Sequence, residues 1–287
     1  MKKHKICKIL LVILAIFLCV AFYELLGICV AYKKQPEVSN TTKKETKNGS
    51  WNECSENIER AVIIEKNPEA LLQRVRLIKN AKKEIILSTF AFQSDESGKL
   101  ILGALHDAAD RGVHIRLLVD GMESWIDMEG NPYFYGLSSH ENVEIKLYNK
   151  ANPLKPWKMM GRMHDKYLIA DGKRYILGGR NTYNYFLGDF PGHKNYDRDV
   201  LVVCDEPEKE NSVNQLLEYF ETIWEQEDSD YFHDNKKLAN RKSVKNAVLE
   251  LQNGYQKYFE ENKERICDTD YTDETFETEK IALVSNP

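Results

Sequence analysis

The longest apolar stretch of the chain lies close to its start. Residues 9–32 are apolar apart from Glu24 and a few weakly polar positions, and they follow a basic head of eight residues with four lysines. A helix rises ~1.5 Å per residue, so this stretch is long enough to cross the hydrocarbon core of a bilayer. We predict that residues 1–32 form a basic head and a transmembrane helix, which makes the protein a membrane protein with a single N-terminal anchor.

A cleaved signal peptide and a buried core helix are the alternatives for this stretch. It is long for a signal peptide, and no small-x-small cleavage site stands out. The sequence ending at Cys29 is similar to a lipoprotein signal, but Ile28 stands where such a signal has a small residue. Lysines flank the span on both sides in nearly equal number, so charge specifies its orientation weakly. Because a short head usually stays in the cytoplasm, we expect the remainder to be extracytoplasmic.

After a polar stretch at residues 33–50, which is typical of a flexible tether, strand and helix patterns alternate. Strands are predicted at 61–66, 84–92, 114–121 and 143–149, and helices at 67–82 and 99–111. Such alternation with short connections indicates parallel strands covered by helices. The predicted fold class is therefore α/β, with a mixed, mostly parallel sheet flanked by helices.

The second half of this region favours antiparallel pairing. The β-prone runs YLIA and RYIL are joined by Asp171-Gly172, one of the strongest hairpin signals in a sequence. A further strand is predicted at 198–204 and an amphipathic helix at 212–225. We place one lobe at residues 51–227.

The last 60 residues of the chain have a different composition from the lobe. Residues 228–279 are charged and polar, which predicts a partly helical linker with a helix at about 244–264. Residues 280–287, KIALVSNP, have the pattern of a strand with nothing after it. This pattern is consistent with the first strand of a second lobe.

Charge limits the possible partners. Residues 1–34 hold six of the 40 basic residues and one of the 45 acidic ones, so the remainder carries 34 basic against 44 acidic groups. A part of the chain that is this acidic lacks the general basic footprint of a non-specific nucleic-acid binder. No specific nucleic acid is expected.

The cysteines and the histidines give little evidence for disulfides or a metal site. Cys54, Cys204 and Cys267 form an odd set outside the head and span, so they allow at most one disulfide among themselves. The seven histidines show no metal-ligand spacing, and no phosphate-binding glycine motif is present. Neither a metal nor a cofactor is predicted.

The candidate chemistry lies around the hairpin. His164 and Lys166 are two apart, so on a strand their side chains point the same way while Asp165 points opposite. An imidazole beside a fixed ammonium suits nucleophilic or proton-transfer work on an anionic substrate. The adjacent glycines Gly178 and Gly179 permit close backbone approach, and the amide of Asn181 can donate a hydrogen bond to the same anion; a solvated hairpin is the alternative interpretation.

The spacing His164-x-Lys166-x4-Asp171-x6-Gly178-Gly179-x-Asn181 resembles the signature of the phospholipase D superfamily, which includes phospholipases D and cardiolipin synthases. The resemblance extends over roughly residues 58–226. It implies an enzyme that is a phosphodiesterase or phosphatidyltransferase acting on phospholipids through a phosphohistidine intermediate. His164, Lys166 and Asn181 would be catalytic, and Asp171, Gly178 and Gly179 would be structural parts of the motif.

The resemblance also implies a carboxylate that orients the nucleophilic histidine. Asp199, on the later strand, is our first choice, and Asp197 is the second. A weaker expectation concerns the loop before the motif, whose cations beside apolar groups suit contact with a phospholipid or, equally, a packed loop; its candidate residues are Lys155, Trp157, Lys158 and Arg162.

The family uses two copies of the motif, and this sequence contains one. A second lobe is therefore expected, either from a homodimer or from a longer chain of which this is a fragment. Two other functions stay open. One is a single-motif homodimeric endonuclease, and the other is a non-catalytic membrane scaffold of the same fold.

Overall fold

The computed structural model of the protein describes residues 2–33, 40, 43–44, 59–158, 160–204, 211–233, 235–278 and 281–283. In these residues nine strands form one mixed sheet in the order β8-β4-β3-β2-β5-β6-β7-β1-β9. The strands are β1 (Glu59–Ile64), β2 (Glu84–Thr89), β3 (His114–Asp120), β4 (Val143–Tyr148), β5 (Lys166–Ala170), β6 (Arg174–Gly178), β7 (Asp199–Val203), β8 (Ser229–Tyr231) and β9 (Phe276–Thr278). The helices are α1 (Lys2–Lys33), α2 (Asn67–Asn80), α3 (Glu96–Asp110), α4 (Gly121–Asp127), α5 (Pro132–Ser138), α6 (Ser212–Trp224), α7 (Lys242–Glu261) and α8 (Lys263–Cys267), with short 3₁₀ turns at Pro156–Lys158 and Lys236–Asn240.

Strands β2, β3 and β4 form the parallel part of the sheet. The chain crosses between them through α3 and then through α4 and α5, as the alternating pattern predicts. The short helices α4 and α5 have no counterpart in the hydrophobic pattern, because seven residues are too few to show a helical period. Their signals are local instead: Asp120 and Asn131 cap them, and Pro132 begins the second.

The other half of the sheet is antiparallel, from β5 through β6 and β7 to β1 and β9. The predicted β5–β6 hairpin is confirmed. Its turn places Asp171 at φ 55° and Gly172 at φ 63°, in the left-handed region that Asp and Gly tolerate better than most residues. The mixed sheet is thus less parallel than the sequence pattern suggests.

Both faces of the sheet are covered by helices. On one face, α6 packs with one apolar side whose buried residues are Val213, Leu216, Phe220 and Trp224. On the other face, α2, α3, α5 and α7 enclose the larger part of the core. Two covered faces explain why the strands are near-continuous apolar runs.

The predicted linker at 228–279 is corrected by the structure. β8 pairs with β4, β9 pairs with β1, and α7 packs against α3 and α5. Buried apolar residues every three or four positions along α7 explain its packing; they are Val244, Ala247, Leu251, Tyr255 and Phe259. The high charge of this segment belongs to the exposed side of a helix that completes the lobe.

Two predicted segments lie mostly outside the described residues. The tether at 33–50 is described only at residues 33, 40 and 43–44, and the strand at 280–287 only at 281–283, which carry no strand. There, the Leu283 N–H donates to Gln215 Oε1 at 2.9 Å. Cys54 also lies outside the described residues, and the thiol of Cys267 is exposed and unpaired.

Helix α1 is the one candidate membrane span among the described residues, over Lys5–Lys33. Its C-terminal third contacts the loop before β5. The Tyr23 hydroxyl donates to the Leu154 carbonyl oxygen at 2.8 Å, and Gly27 lies so close to Pro156 that a side chain there would collide with the proline ring. The span is therefore joined to the lobe by packing as well as by the chain.

Candidate active site

The ring of Phe90, just after β2, lies at the centre of the candidate site. Its centroid is 4.7 Å from that of the His164 ring and 5.2 Å from Lys166 Nζ. The two motif side chains therefore meet on one side of the chain, as their spacing predicts. His164 precedes β5, which begins at Lys166, so the imidazole projects from the entrance of the strand.

Lys166 is held with its ammonium group in place. The side chain is buried, and Nζ donates to the His164 carbonyl oxygen at 2.7 Å. Burial lowers the pKa of Lys166 from 10.5 to about 8, against the opposing effect of the carboxylates of Asp165 and Asp197. The ammonium therefore stays charged at neutral pH but has lost much of its hydration, which strengthens its attraction for an anion.

The His164 side chain is largely exposed, and its environment favours the neutral imidazole. Partial desolvation lowers its pKa below 6.5, the charges of Lys166 and Arg162 add to that effect, and the carboxylates of Asp165 and Asp120 oppose it. A neutral imidazole has a free lone pair for attack on phosphorus. Asp165, between the two motif residues, points to the opposite side, where it accepts a hydrogen bond from the Tyr219 hydroxyl at 2.9 Å.

Asn181 joins the same cluster through the segment after β2. Its Oδ1 accepts a hydrogen bond from the Ala91 N–H at 3.3 Å, next to Phe90 in the chain. The amide nitrogen of Asn181 is its donor group, and the side chain also forms a hydrogen bond with that of Tyr183. A Cβ on Gly178 would collide with Asp199 and one on Gly179 with Asp197, so both glycines are needed for close backbone approach.

Asp120 is a residue of the site that the sequence analysis missed. Its buried carboxylate accepts hydrogen bonds from Arg162 Nε at 2.9 Å and from the Met163 N–H at 3.0 Å, while it also caps α4. It therefore fixes the two residues before His164 to the end of β3. Its only sequence signal is an acid at the end of an apolar strand, where carboxyl ends of parallel strands commonly form sites.

Asp199 lies in a buried ion-pair group, and its role as the carboxylate that orients His164 stays a prediction. Asp199 Oδ2 forms ion pairs with Arg74 Nη1 at 2.9 Å and Arg180 Nη1 at 3.2 Å, and all three side chains are buried. Among the described residues, no hydrogen bond joins Asp199 to His164. Its carboxylate lies toward α2, because that helix supplies Arg74. Asp197, the second choice, is exposed and acts electrostatically on Lys166.

Asp171 lies at the far end of the hairpin from His164. Its carboxylate accepts the backbone N–H groups of Lys82, Lys83 and Glu84 at 2.9, 2.7 and 3.0 Å. These bonds tie the hairpin turn to the start of β2. The geometry is that of a structural residue.

The four candidate residues of the predicted lipid-contacting loop have different surroundings in the structure. Arg162 joins the site, with its guanidinium carbon 4.9 Å from the Phe90 ring centre. Lys158 instead pairs with Asp228 at 2.5 Å. Lys155 and Trp157 are exposed beside the end of α1.

Within the described residues, no group of three or more His, Cys, Asp or Glu side chains is arranged to hold a metal ion. The site is built instead from an imidazole, an ammonium, an amide and a guanidinium. The imidazole, the ammonium and the amide are suited to an anionic substrate, while the guanidinium of Arg162 is already paired with Asp120 and Glu123.

Comparisons with known proteins point to one family. Residues 75–224, just over half of the chain, match the family described as "Cardiolipin synthase, PLD-like domain". An uncharacterised protein of Helicobacter pylori strain J99 is 30% identical over 212 residues, which are 69% of this chain and 39% of that protein. Cardiolipin synthase C of Escherichia coli K12 is 29% identical over 171 residues, which are 55% of this chain and 34% of that enzyme.

Among solved structures, NucT from Helicobacter pylori is similar with a TM-score of 0.47 and 16% identity, over 61% of this chain and 99% of that one. The chain spans between a third and two fifths of the length of the two curated relatives. Because the family match covers more than half of its residues, the chain belongs to the PLD-like domain family and, with it, to the phospholipase D superfamily.

Proposed function

We propose that this protein is a membrane-anchored phosphodiesterase that acts on phospholipids, by hydrolysis or by phosphatidyl transfer. Members of the superfamily are phosphodiesterases and transferases, and the finer assignment is our own. The observation that carries it is the cluster on Phe90: a neutral imidazole beside a partly desolvated ammonium, both at one end of the sheet. Helix α1 supports a lipid substrate because it would keep this site near a membrane.

The reaction proceeds by two displacements at phosphorus. The neutral ring nitrogen of His164 attacks the phosphodiester, a phosphorus–nitrogen bond forms, and the bond to the leaving alcohol breaks. A second histidine donates the proton that the leaving oxygen requires. Water or another alcohol then attacks the phosphohistidine, and its proton returns to that second histidine.

The positive and donor groups stabilise the charge on the phosphoryl oxygens. The Lys166 ammonium and the Asn181 amide are the groups of this lobe that would meet the non-bridging oxygens, while Arg162 lies at the rim. The second histidine and a matching lysine would come from another copy of this chain or from a longer chain. The acid excess outside the head and span disfavours an endonuclease, which remains the alternative substrate class.

In the test, full-length protein in vesicles is given two labelled substrates at once. One is phosphatidylglycerol or phosphatidylcholine, and the other is single-stranded DNA. We expect the lipid ester to be cut and His164→Asn to lower that rate by about 10³-fold or more, because the nucleophile is lost. His114→Asn is the matched control, since His114 begins β3 at the end of the sheet away from Phe90. Cleavage of DNA in place of lipid supports the endonuclease, and turnover of neither substrate supports a non-catalytic scaffold.

A further inference from the structure

The contact between α1 and the loop before β5 fixes the depth of that loop relative to the span. About 20 helical residues cross a hydrocarbon core, so a span that begins after Lys8 ends near Ile28. Tyr23, whose hydroxyl bonds to the Leu154 carbonyl, lies five positions before Ile28. At ~1.5 Å per residue, this contact lies about 7 Å inside the edge of the hydrocarbon core.

The loop before β5 exposes apolar side chains, as a segment at this depth of a membrane must. Its described residues are 154–158 and 160. Leu154 is 76% exposed, Trp157 45% and Met160 52%. Apolar side chains grouped on an otherwise acidic protein mark a contact surface, and tryptophan in particular is favoured at the membrane interface. Lys155 lies between them, and its long stem allows the ammonium to reach the phosphate layer.

Several contacts hold the loop at this position. Pro156 packs on Gly27 of the span, and Asn149 Nδ2 donates to the Gly161 carbonyl oxygen at 2.7 Å and also to that of Lys158. The ion pair of Lys158 with Asp228 adds a third attachment. The loop is therefore braced between the span and the lobe.

A cleft of about 450 Å³ separates the last turn of α1 from the loop. Apolar residues of the helix form one wall, and Trp157 and Met160 form part of the other. Asn149 and the ion pair of Lys158 with Asp228 complete the lining. Because the last turn of α1 lies beyond Ile28, this cleft with its mixed walls lies at the level of the lipid headgroups.

We propose that residues 154–158 and 160 enter the bilayer, with Leu154 among the acyl chains beside Tyr23 and with Trp157 and Met160 at the boundary with the headgroups, and that they bring the active site to the lipid. Met160 is four residues before His164, so at ~3.5 Å per residue the imidazole lies within about 14 Å of the immersed loop. The inference rests on α1 as a membrane span and deepens the proposed function, since it states how a phosphodiester at the membrane surface reaches His164.

Tryptophan fluorescence in vesicles tests this directly. Full-length protein is placed in phosphatidylcholine vesicles with and without lipids brominated on the acyl chains near the headgroup, which quench only tryptophans in contact with them. The difference between the wild type and Trp157→Phe gives the emission of Trp157. We expect the brominated lipid to quench that emission by half or more and aqueous iodide to leave it nearly unchanged.

Trp224→Phe is the matched control, because Trp224 is the last residue of α6, is buried in the core and should contribute nothing that lipid quenches. Emission from Trp157 that iodide quenches and brominated lipid does not would overturn the proposal. The readout needs no turnover, so its result is separate from that of the lipid cleavage assay. An inactive protein with a lipid-quenched Trp157 rejects the proposed function alone, and an active protein with an iodide-quenched Trp157 rejects the immersed loop alone.

Discussion

Lys166 is a buried cation of the candidate site. Burial lowers its pKa to about 8, and its charge in turn helps to lower the pKa of His164 below 6.5. Between these two values the site holds a neutral imidazole and a charged ammonium. This combination is what the proposed first displacement requires.

The pH dependence of kcat/KM follows from the lowered pKa values of His164 and Lys166. Activity should rise with pH as His164 loses its proton below 6.5, and it should fall as the second histidine, which must donate a proton, and Lys166, near pH 8, lose theirs. Lys166→Arg should keep part of the activity and remove the part of the fall near pH 8, since a guanidinium remains charged there. Lys155→Arg, on the exposed loop, is the control and should leave the profile in place. An unchanged falling limb in Lys166→Arg would show that another group controls it.

For single residues, the sequence predicts which side chains of one strand share a side, but not which residues of other strands lie beside them. The spacing of His164 and Lys166 predicts their common side because alternation along a strand is local. Phe90 and Asp120 join the site from other strands, and a single sequence carries no signal of which strands become neighbours. The surroundings of Asp199 could not be predicted for the same reason, since Arg74 is remote from it in the chain.

The buried group of Arg74, Arg180 and Asp199 connects three elements. Arg74 belongs to α2, Asp199 begins β7, and Arg180 follows β6 and also donates to the Ile64 carbonyl oxygen at the end of β1. One carboxylate thus compensates two buried guanidinium groups. Its loss leaves both charges in a site that excludes water.

We expect Asp199→Asn to lower the free energy of unfolding by about 3–5 kcal/mol, as the removal of one partner from a buried ion pair does. Denaturant titration of the full-length protein in detergent micelles measures this. Asp230→Asn is the control, because Asp230 is exposed on β8 and its substitution should change stability little. A stable but inactive Asp199→Asn protein would return Asp199 to the catalytic role that the sequence analysis gave it.

The strands β1 to β7 and the long helices lie close to where the hydrophobic pattern predicts them, because each has enough residues to show the repeat of a strand or a helix. In the segment 228–279 the predicted helix at about 244–264 is confirmed as α7, but its packing against α3 and α5 was not predicted, since charged residues surround its apolar stripe. Local hydrophobic content therefore misplaced the end of the lobe. Pairing of β8 and β9 with distant strands had no local signal.

At the scale of the whole molecule, three features act together. A candidate span, an exposed apolar loop and the candidate active site follow one another, from α1 through Leu154, Trp157 and Met160 to His164. The acid excess of the remaining chain disfavours binding to nucleic acid. This arrangement supports a substrate that lies in the membrane surface.

The central claim is that His164 carries the phosphoryl group during turnover. Its most direct test is to mix the full-length protein with phospholipid labelled at phosphorus, quench within one turnover at alkaline pH, where phosphohistidine is stable, and locate the label by peptide mapping. We predict an acid-labile adduct on the peptide with His164, absent from His164→Asn and present in His114→Asn. A protein that turns over lipid steadily while no label is found on His164 at any quench time contradicts the account.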